Sequence, residues 1–193
     1  MKVKNIFILA AMSLTLASCS DLFEPAEENN RGLDEIYNEP TYAQGLLGYG
    51  YAMLPYNTKS VTDIATDDAV SNDLANGYLK MATGSWTANN DPMSKWTNGR
   101  ASIQYLNIFL QEVDKVNWAK DENARRMYCD SRKGEAYALR ALNLYYLLMN
   151  HGGWTADGKL LGVPNLTEPE TSTDDFNKPR NTFQECLDQI YSE

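Results

Sequence analysis

Histidine is almost missing from this chain: 193 residues contain only His151. A Ser-His-Asp or Cys-His relay and a histidine-rich metal site each need more imidazoles in the right company, so this stretch carries none of them. Cysteine is also scarce, at three residues. Cys129 and Cys186 are far apart, with no second cysteine or histidine at metal-ligand spacing. They could form one bridge in an oxidising compartment, but both lie among apolar helix positions, and two buried thiols are the favoured reading. Glycines form neither the Walker nor the dinucleotide pattern after a strand. No cofactor is expected. Positive charge is in short supply too, with 17 basic against 26 acidic residues, and the densest basic group, Arg125-Arg126 with Arg132-Lys133, falls on an amphipathic helix. Nucleic acid, which demands a basic stripe, is therefore excluded as a partner. Sustained apolar-polar alternation is absent as well, so the fold is expected to be mainly α.

What is present begins at the N-terminus. Lys2 and Lys4 precede an apolar stretch from Ile6 to Leu16, and Leu16-Ala17-Ser18-Cys19 closes it. The stretch is far short of the roughly 18 residues that cross a bilayer, and its order of charge, apolar core and small residues is that of a secretory signal with a lipobox. Residues 1–18 are read as the signal peptide and Cys19 as the lipidation site. Acyl chains contribute about 0.8 kcal/mol per buried methylene, enough together to hold a soluble body on a membrane. Loss of Lys2 and Lys4 with the leader takes the 17 basic residues to 15 against 26 acidic ones, and the net charge from −9 to −11. Residues 19–38, with the acidic run Glu27-Glu28-Asn29-Asn30, read as a flexible tether.

Four helices are expected beyond it. Pro40 opens the first, with Tyr42, Leu46, Tyr49 and Met53 on one stripe and Gly45, Gly48 and Ala52 on a small-residue stripe suited to close packing. Residues 54–97 lose periodicity and read as a long loop region, functional or holding short structure of its own. Thr97 and Asn98 cap a second helix through Ile103, Leu106, Leu110 and Val113, running to about Asn117. A third spans about Asn123 to Asn150 and stops at Gly152-Gly153, where left-handed geometry favours glycine. Its second half is apolar nearly all round, with Ala138, Ala141, Tyr145 and Leu148 beside Leu139, Leu142, Tyr146 and Met149, as in a helix packed between others. His151 at its end would serve as a cation on the macrodipole. Thr155 to Lys178 is irregular, broken by Pro164 and Pro169. Thr182-Phe183-Gln184-Glu185 forms a capping box for a fourth helix carrying Phe183, Leu187 and Ile190. That helix shows no stop signal before Glu193, so residues 39–193 read as the N-terminal part of a longer α-helical domain.

Chemistry in the loops is that of binding. Tyr78, Trp86, Trp96 and Trp154 stand among Asn89, Asn90 and Asn98. A sugar ring has an apolar face that an aromatic ring desolvates and a polar rim that amides can bond. Such aromatics also pin loops to helices, and only the group of them points to a ligand. The adjacent carboxylates Asp67 and Asp68 could in principle work as acid and base in a glycosidase, but an acidic chain always contains some pair. The ligand-binding candidates are Trp96, Asn98, Trp86, Tyr78, Asp67 and Asp68; no catalytic residue is assigned.

Several motifs occur in a telling order: Ser102-Ile103-Gln104-Tyr105-Leu106-Asn107 leading to Glu112-Val113-Asp114, then Lys133-Gly134-Glu135-Ala136-Tyr137-Ala138-Leu139-Arg140-Ala141-Leu142. Tyr145-Tyr146-Leu147, Gly152, Gly162-Val163-Pro164 and Pro179-Arg180 follow. Together they resemble the SusD/RagB family of Bacteroidetes surface lipoproteins, over the N-terminal part of a typical member. The resemblance implies tetratricopeptide-like helix pairs with long irregular loops. It also implies a non-enzymatic role at the outer membrane, delivering glycans or sometimes peptides to a TonB-dependent transporter of the SusC type. On this reading Glu135 and Arg140 form a polar pair between packed helices, and Gly134 permits a close crossing. The alternative is a helical-repeat scaffold that recruits proteins and binds no small ligand.

Overall fold

The computed structural model describes residues 37–55, 62–87 and 89–193. The signal, Cys19 and nearly all of the tether lie outside the described residues. Among those described, five α-helices carry the fold: α1 (Pro40–Ala52), α2 (Gly77–Ala82), α3 (Trp96–Glu112), α4 (Glu122–His151) and α5 (Phe183–Ser192). Short 3₁₀ turns occupy Thr62–Ala65 and Val113–Lys115, and the one two-stranded sheet pairs β1 (Gly153–Trp154) with β2 (Leu160–Leu161) antiparallel. The chain is mainly α, as its periodicities require. No described helix is long and apolar enough to cross a membrane.

Contacts at the helix ends show that neighbours run antiparallel. Tyr37, just before α1, donates its hydroxyl to Glu112 at the end of α3 (2.5 Å). Cys129 in the first turns of α4 lies against Val113 O, whereas His151 at its far end meets Lys95 before α3. Phe183 at the start of α5 packs where α4 ends, and Glu193 just beyond α5 reaches back to Arg140. α3 thus runs antiparallel to α1, α4 to α3 and α5 to α4, so consecutive long helices are neighbours in space.

Two apolar clusters form the core. In one, Ala43 and Leu47 of α1 meet Leu106 and Phe109 of α3 and Ala136 and Leu139 of α4; in the other, Leu144, Leu147 and Leu148 of α4 meet Ile103, Val163, Leu166 and Cys186. Burying each large side chain contributes about 1.5–3 kcal/mol. α4, 30 residues long, is common to both clusters. Its buried positions include Ala136, Leu139, Asn143, Leu144, Leu147 and Leu148, the recurrence of three to four that one helix face demands.

Several expectations are corrected. The buried stripe of α1 is Ala43, Leu47 and Gly50, while Tyr42 is exposed. A β-carbon on Gly45 or Gly48 would meet nothing within 4 Å, but one on Gly50 would stand 2.9 Å from Leu106 Cδ2. Gly50, not the predicted stripe, is the point of close approach. Gly134 likewise faces open space. α4 is not covered all round: Ala138, Leu142, Tyr145 and Met149 are exposed, an apolar line at spacings of four, three and four. Gly152 ends α4 in extended rather than left-handed geometry (φ −75°, ψ 161°), and the positive φ belongs to Gly153. Glycine is needed at 152 because a β-carbon would sit 2.5 Å from Leu148 O. The fourth predicted helix starts with the capping box as read: Glu185 N donates to Thr182 Oγ1 (3.1 Å) and Thr182 N to Glu185 Oε2 (2.7 Å). Both described thiols are free and buried, so the bridge is ruled out, and burial pushes Cys129 up to about 11.

Alanine at Gly45, Gly48 or Gly134 is expected to stabilise the fold by about 0.5–1 kcal/mol each, the helix-interior cost of glycine. Gly50→Leu is expected to destabilise by about 1–3 kcal/mol through overpacking. Urea unfolding midpoints of the four variants check this ordering, and destabilisation by Gly134→Ala would restore the close-crossing role.

Candidate functional site

α3 is the helix on which the site is built, and one polar stripe along it fixes the segment after β2. Arg100, Gln104 and Asn107, spaced four and three apart, share a face. Gln104 both donates to Glu170 O (2.7 Å) and accepts from Glu170 N (2.8 Å). Asn107, fully buried, donates to Leu166 O (3.1 Å) and Glu168 O (2.9 Å). Arg100 pairs with the Glu170 carboxylate at 3.0 Å. An irregular strand cannot satisfy its own amides and carbonyls, and these amide side chains replace the ladder that a sheet would provide.

Arg140 joins that arrangement from α4. Only 7% exposed, its guanidinium donates to Asn107 Oδ1 (2.7 Å) and Thr167 O (3.0 Å) and forks onto the Glu193 carboxylate (2.6 and 2.9 Å). The expected Glu135–Arg140 pair does not form. Five residues apart on a helix, the two point about 140° away from each other. Glu135 instead pairs with Arg132 and accepts from the Tyr51 hydroxyl (2.8 Å).

The start of α3 is satisfied from outside its own sequence. Thr97 and Asn98 lie within the helix, and the residue at the cap position, Lys95, makes no side-chain cap bond. Instead Lys95 N–H donates to His151 Nε2 (3.2 Å) and Trp96 N–H to Ser94 Oγ (3.3 Å). A backbone N–H can only donate, so Nε2 accepts and the ring is neutral, its proton on Nδ1. Burial lowers the His151 pKa, Arg180 adds to that, and Asp91 opposes it. The expected cationic role of His151 is therefore overturned. Arg180 takes that place, donating to His151 O (3.0 Å), Leu161 O (3.0 Å) and Gly162 O (2.7 Å) at the C-terminal end of α4.

Trp96 is the candidate best held in place. Its ring has the His151 imidazole at its edge (centroids 5.3 Å apart, 81° between planes) and the Arg100 guanidinium 5.5 Å from its centroid, yet the residue stays 41% exposed. Asn98, on the same helical turn, lines a small cavity of about 140 Å³ with Met53, Leu54, Gly99, Asn143 and Tyr146. Trp86 and Trp154 are exposed, on a turn closed by the Thr87–Asn90 bridge and on β1 respectively. Tyr78 is a partly buried pin: its hydroxyl donates to Pro92 O (3.4 Å) and holds α2 against the turn preceding α3. Asn90 is used by its own turn, donating to Ser85 O (3.0 Å). Asp67 and Asp68 are exposed and line a different, open cleft of about 320 Å³ with Ile64, Val70 and Leu79. The six candidates thus do not converge on one cavity. Trp96 and Asn98, two apart on α3, point about 160° away from each other, and the carboxylate pair lines another cleft. His151, Arg100 and Arg180 were missed, although the coincidence of a lone histidine with a helix end gave a trace of the first. No described cluster of three or more His, Cys, Asp or Glu side chains could hold a metal ion.

Residues 32–193 match the SusD-like family described as starch-binding associating with outer membrane. The chain belongs to this family. No curated protein and no solved structure matches it. The motif residues that carried the resemblance hold this SusD-like fold together: Asn107, Arg140 and Arg180 all bond the backbone of the segment between β2 and α5 or its borders.

Arg180→Ala is expected to cost about 2 kcal/mol, because three carbonyls lose a charged donor at a partly exposed site, and Arg180→Lys to recover less than half. Urea denaturation followed by circular dichroism checks this; equal stability of the alanine variant and the native chain would remove Arg180 from the role.

Proposed function

We propose that this SusD-like chain is a cell-surface glycan-binding lipoprotein that stacks a sugar ring on Trp96 and passes its ligand to a TonB-dependent transporter of the SusC type. Family membership supplies the outer membrane and starch association. The observation that carries the site is the fixed, accessible ring of Trp96. A ring already held by Arg100 and His151 loses little freedom when a sugar stacks on it, so more of the contact energy remains for affinity. Trp86 and Trp154, both exposed, extend the set of stacking surfaces, and Asp67 and Asp68 offer hydroxyl acceptors farther off. Binding needs no covalent step, and no catalytic group is assigned. Cys19 anchors the mature chain, with residues 1–18 removed and 19–38 as tether to the SusD-like residues 39–193.

A second reading has one observation in its favour: the exposed line Ala138, Leu142, Tyr145 and Met149 suits a protein contact, as a helical-repeat scaffold would use.

Calorimetry with maltodextrins and a panel of other soluble glycans separates the two. Trp96→Ala is expected to weaken binding up to about tenfold, in line with about 0.5–1.5 kcal/mol for an aromatic stacking contact, and to leave the unfolding midpoint within error. Heat from no glycan, with transporter binding retained, selects the scaffold. Cys19→Ala is expected to move the protein from the membrane to the soluble fraction; retention would refute the lipid anchor.

A further inference from the structure

Among the described groups that neither the fold nor stacking fully explains, the junction around His151 brings the most together. Its ring lies where the C-terminal end of α4, the turn 91–95 and the first turn of α3 meet. Nε2 accepts the Lys95 amide, Ser94 Oγ stands 3.4 Å from the same nitrogen, and the ring meets Trp96 in a T-shaped pair. The next two residues in sequence after the Lys95 amide's own are Trp96 and Thr97, then Asn98. The amide that His151 holds thus adjoins the residue that presents the indole.

We propose that His151 is the positioning residue of the Trp96 platform, and that it performs this task only as a neutral imidazole, so that ligand capture weakens on acidification. The inference rests on the reading of Trp96 as a ligand contact and adds to it a residue and a pH dependence. A protonated ring has an N–H at both nitrogens. It would set a donor against the Lys95 donor, leaving that amide unpaired and turning the ring away from Trp96. Of the charged groups facing the ring, Asp91 on the turn favours the protonated form, whereas Arg180, bonded to the His151 carbonyl, disfavours it. Arg100 faces the ring only across Trp96. Burial lowers the imidazole pKa below its usual 6.5, in the sense the geometry requires. The sign follows. The unfolded chain takes up the proton first as pH falls below about 6.5, so the contribution of His151 is complete above that value and is lost as pH drops through the folded-state pKa.

The test uses the full chain. Amide NMR over pH 5–8 should show the Lys95 resonance moving with the same midpoint as the His151 ring, below 6.5, without any ligand. Maltodextrin affinity should fall about fivefold from pH 7.5 to pH 5, the loss expected for one hydrogen bond of about average strength. His151→Gln, whose side-chain carbonyl can accept the amide without titrating, should bind well and flatten the pH profile, while His151→Leu should bind weakly at every pH. Independent titration of Lys95 and His151, or a His151→Gln chain that keeps the full pH dependence, would overturn the proposal. Absence of maltodextrin and other glycan binding at all pH values would sink the glycan reading, and the Lys95 titration would still decide whether the histidine governs this turn.

Discussion

A guanidinium left only 7% exposed must find most of its partners inside the protein, and meeting Arg140 organises this fold. One cation on α4 takes the Asn107 amide from α3, the Thr167 carbonyl from the irregular segment and the Glu193 carboxylate following α5. Removing any one partner from such a site leaves a charge or dipole unpaired in a low dielectric, a cost of several kcal/mol. An apolar residue of similar volume could pack there, but it could not dictate where the segment 165–171 lies. The arginine therefore acts less as a source of stability than as a specification of register between three helices and one loop.

The same logic runs along α3. Gln104 and Asn107 bond the 166–170 backbone and Arg100 the Glu170 carboxylate, while Ile103, Leu106 and Phe109 turn an apolar edge to the core. A helix so placed is fixed in rotation about its axis. That fixation reaches Trp96 at its N-terminal end, because Arg100, which binds Glu170 on the core side, also lies by the indole. α4, about 45 Å long at 1.5 Å per residue, carries the constraint from the Cys129 end to His151. The platform is hence supported by both long helices, as a loop site borne on a rigid scaffold should be.

Where the sequence spoke of local periodicity it was legible. The long helix, the capping box after Asn181 and the mainly α character follow from spacing and cap chemistry alone. It failed where the deciding partner is distant. The stripe chosen for α1 was the one with larger side chains, but Tyr42 carries a hydroxyl that prefers water, and the small Ala43 and Gly50 allow α1 to approach α3 and α4. Thr97 and Asn98 looked like caps because they are good ones, but a histidine 56 residues away satisfies the amide before them. The SusD-like motif named the arginine correctly and its partner wrongly, since position 135 is on another face of the helix. Among site residues, exposure could be read for Trp86, Trp96 and Trp154; which aromatics of the 54–97 region are pinned could not, as it depends on partners distant in sequence, such as Pro92 for Tyr78 and His151 for Trp96.

That region explains why the candidates are unequal. Asn76 caps α2 by accepting from Tyr78 N and Leu79 N, and Gly77 sits against Pro92, so α2 is tied to the turn before α3. Tyr78 is consumed in making that tie, its hydroxyl on the Pro92 carbonyl. Pinning and binding are in this way two uses of the same residue type, distinguished by whether the polar tip already has a partner and the ring still has an open side. Tyr78 fails on the first count. Trp96 passes on both, because its neighbours are a guanidinium and an imidazole edge that hold the indole while leaving much of its surface to solvent. An aromatic that is both held and exposed has little structural reason for its exposure, and the proposed stacking of a sugar face on Trp96 would use that open side.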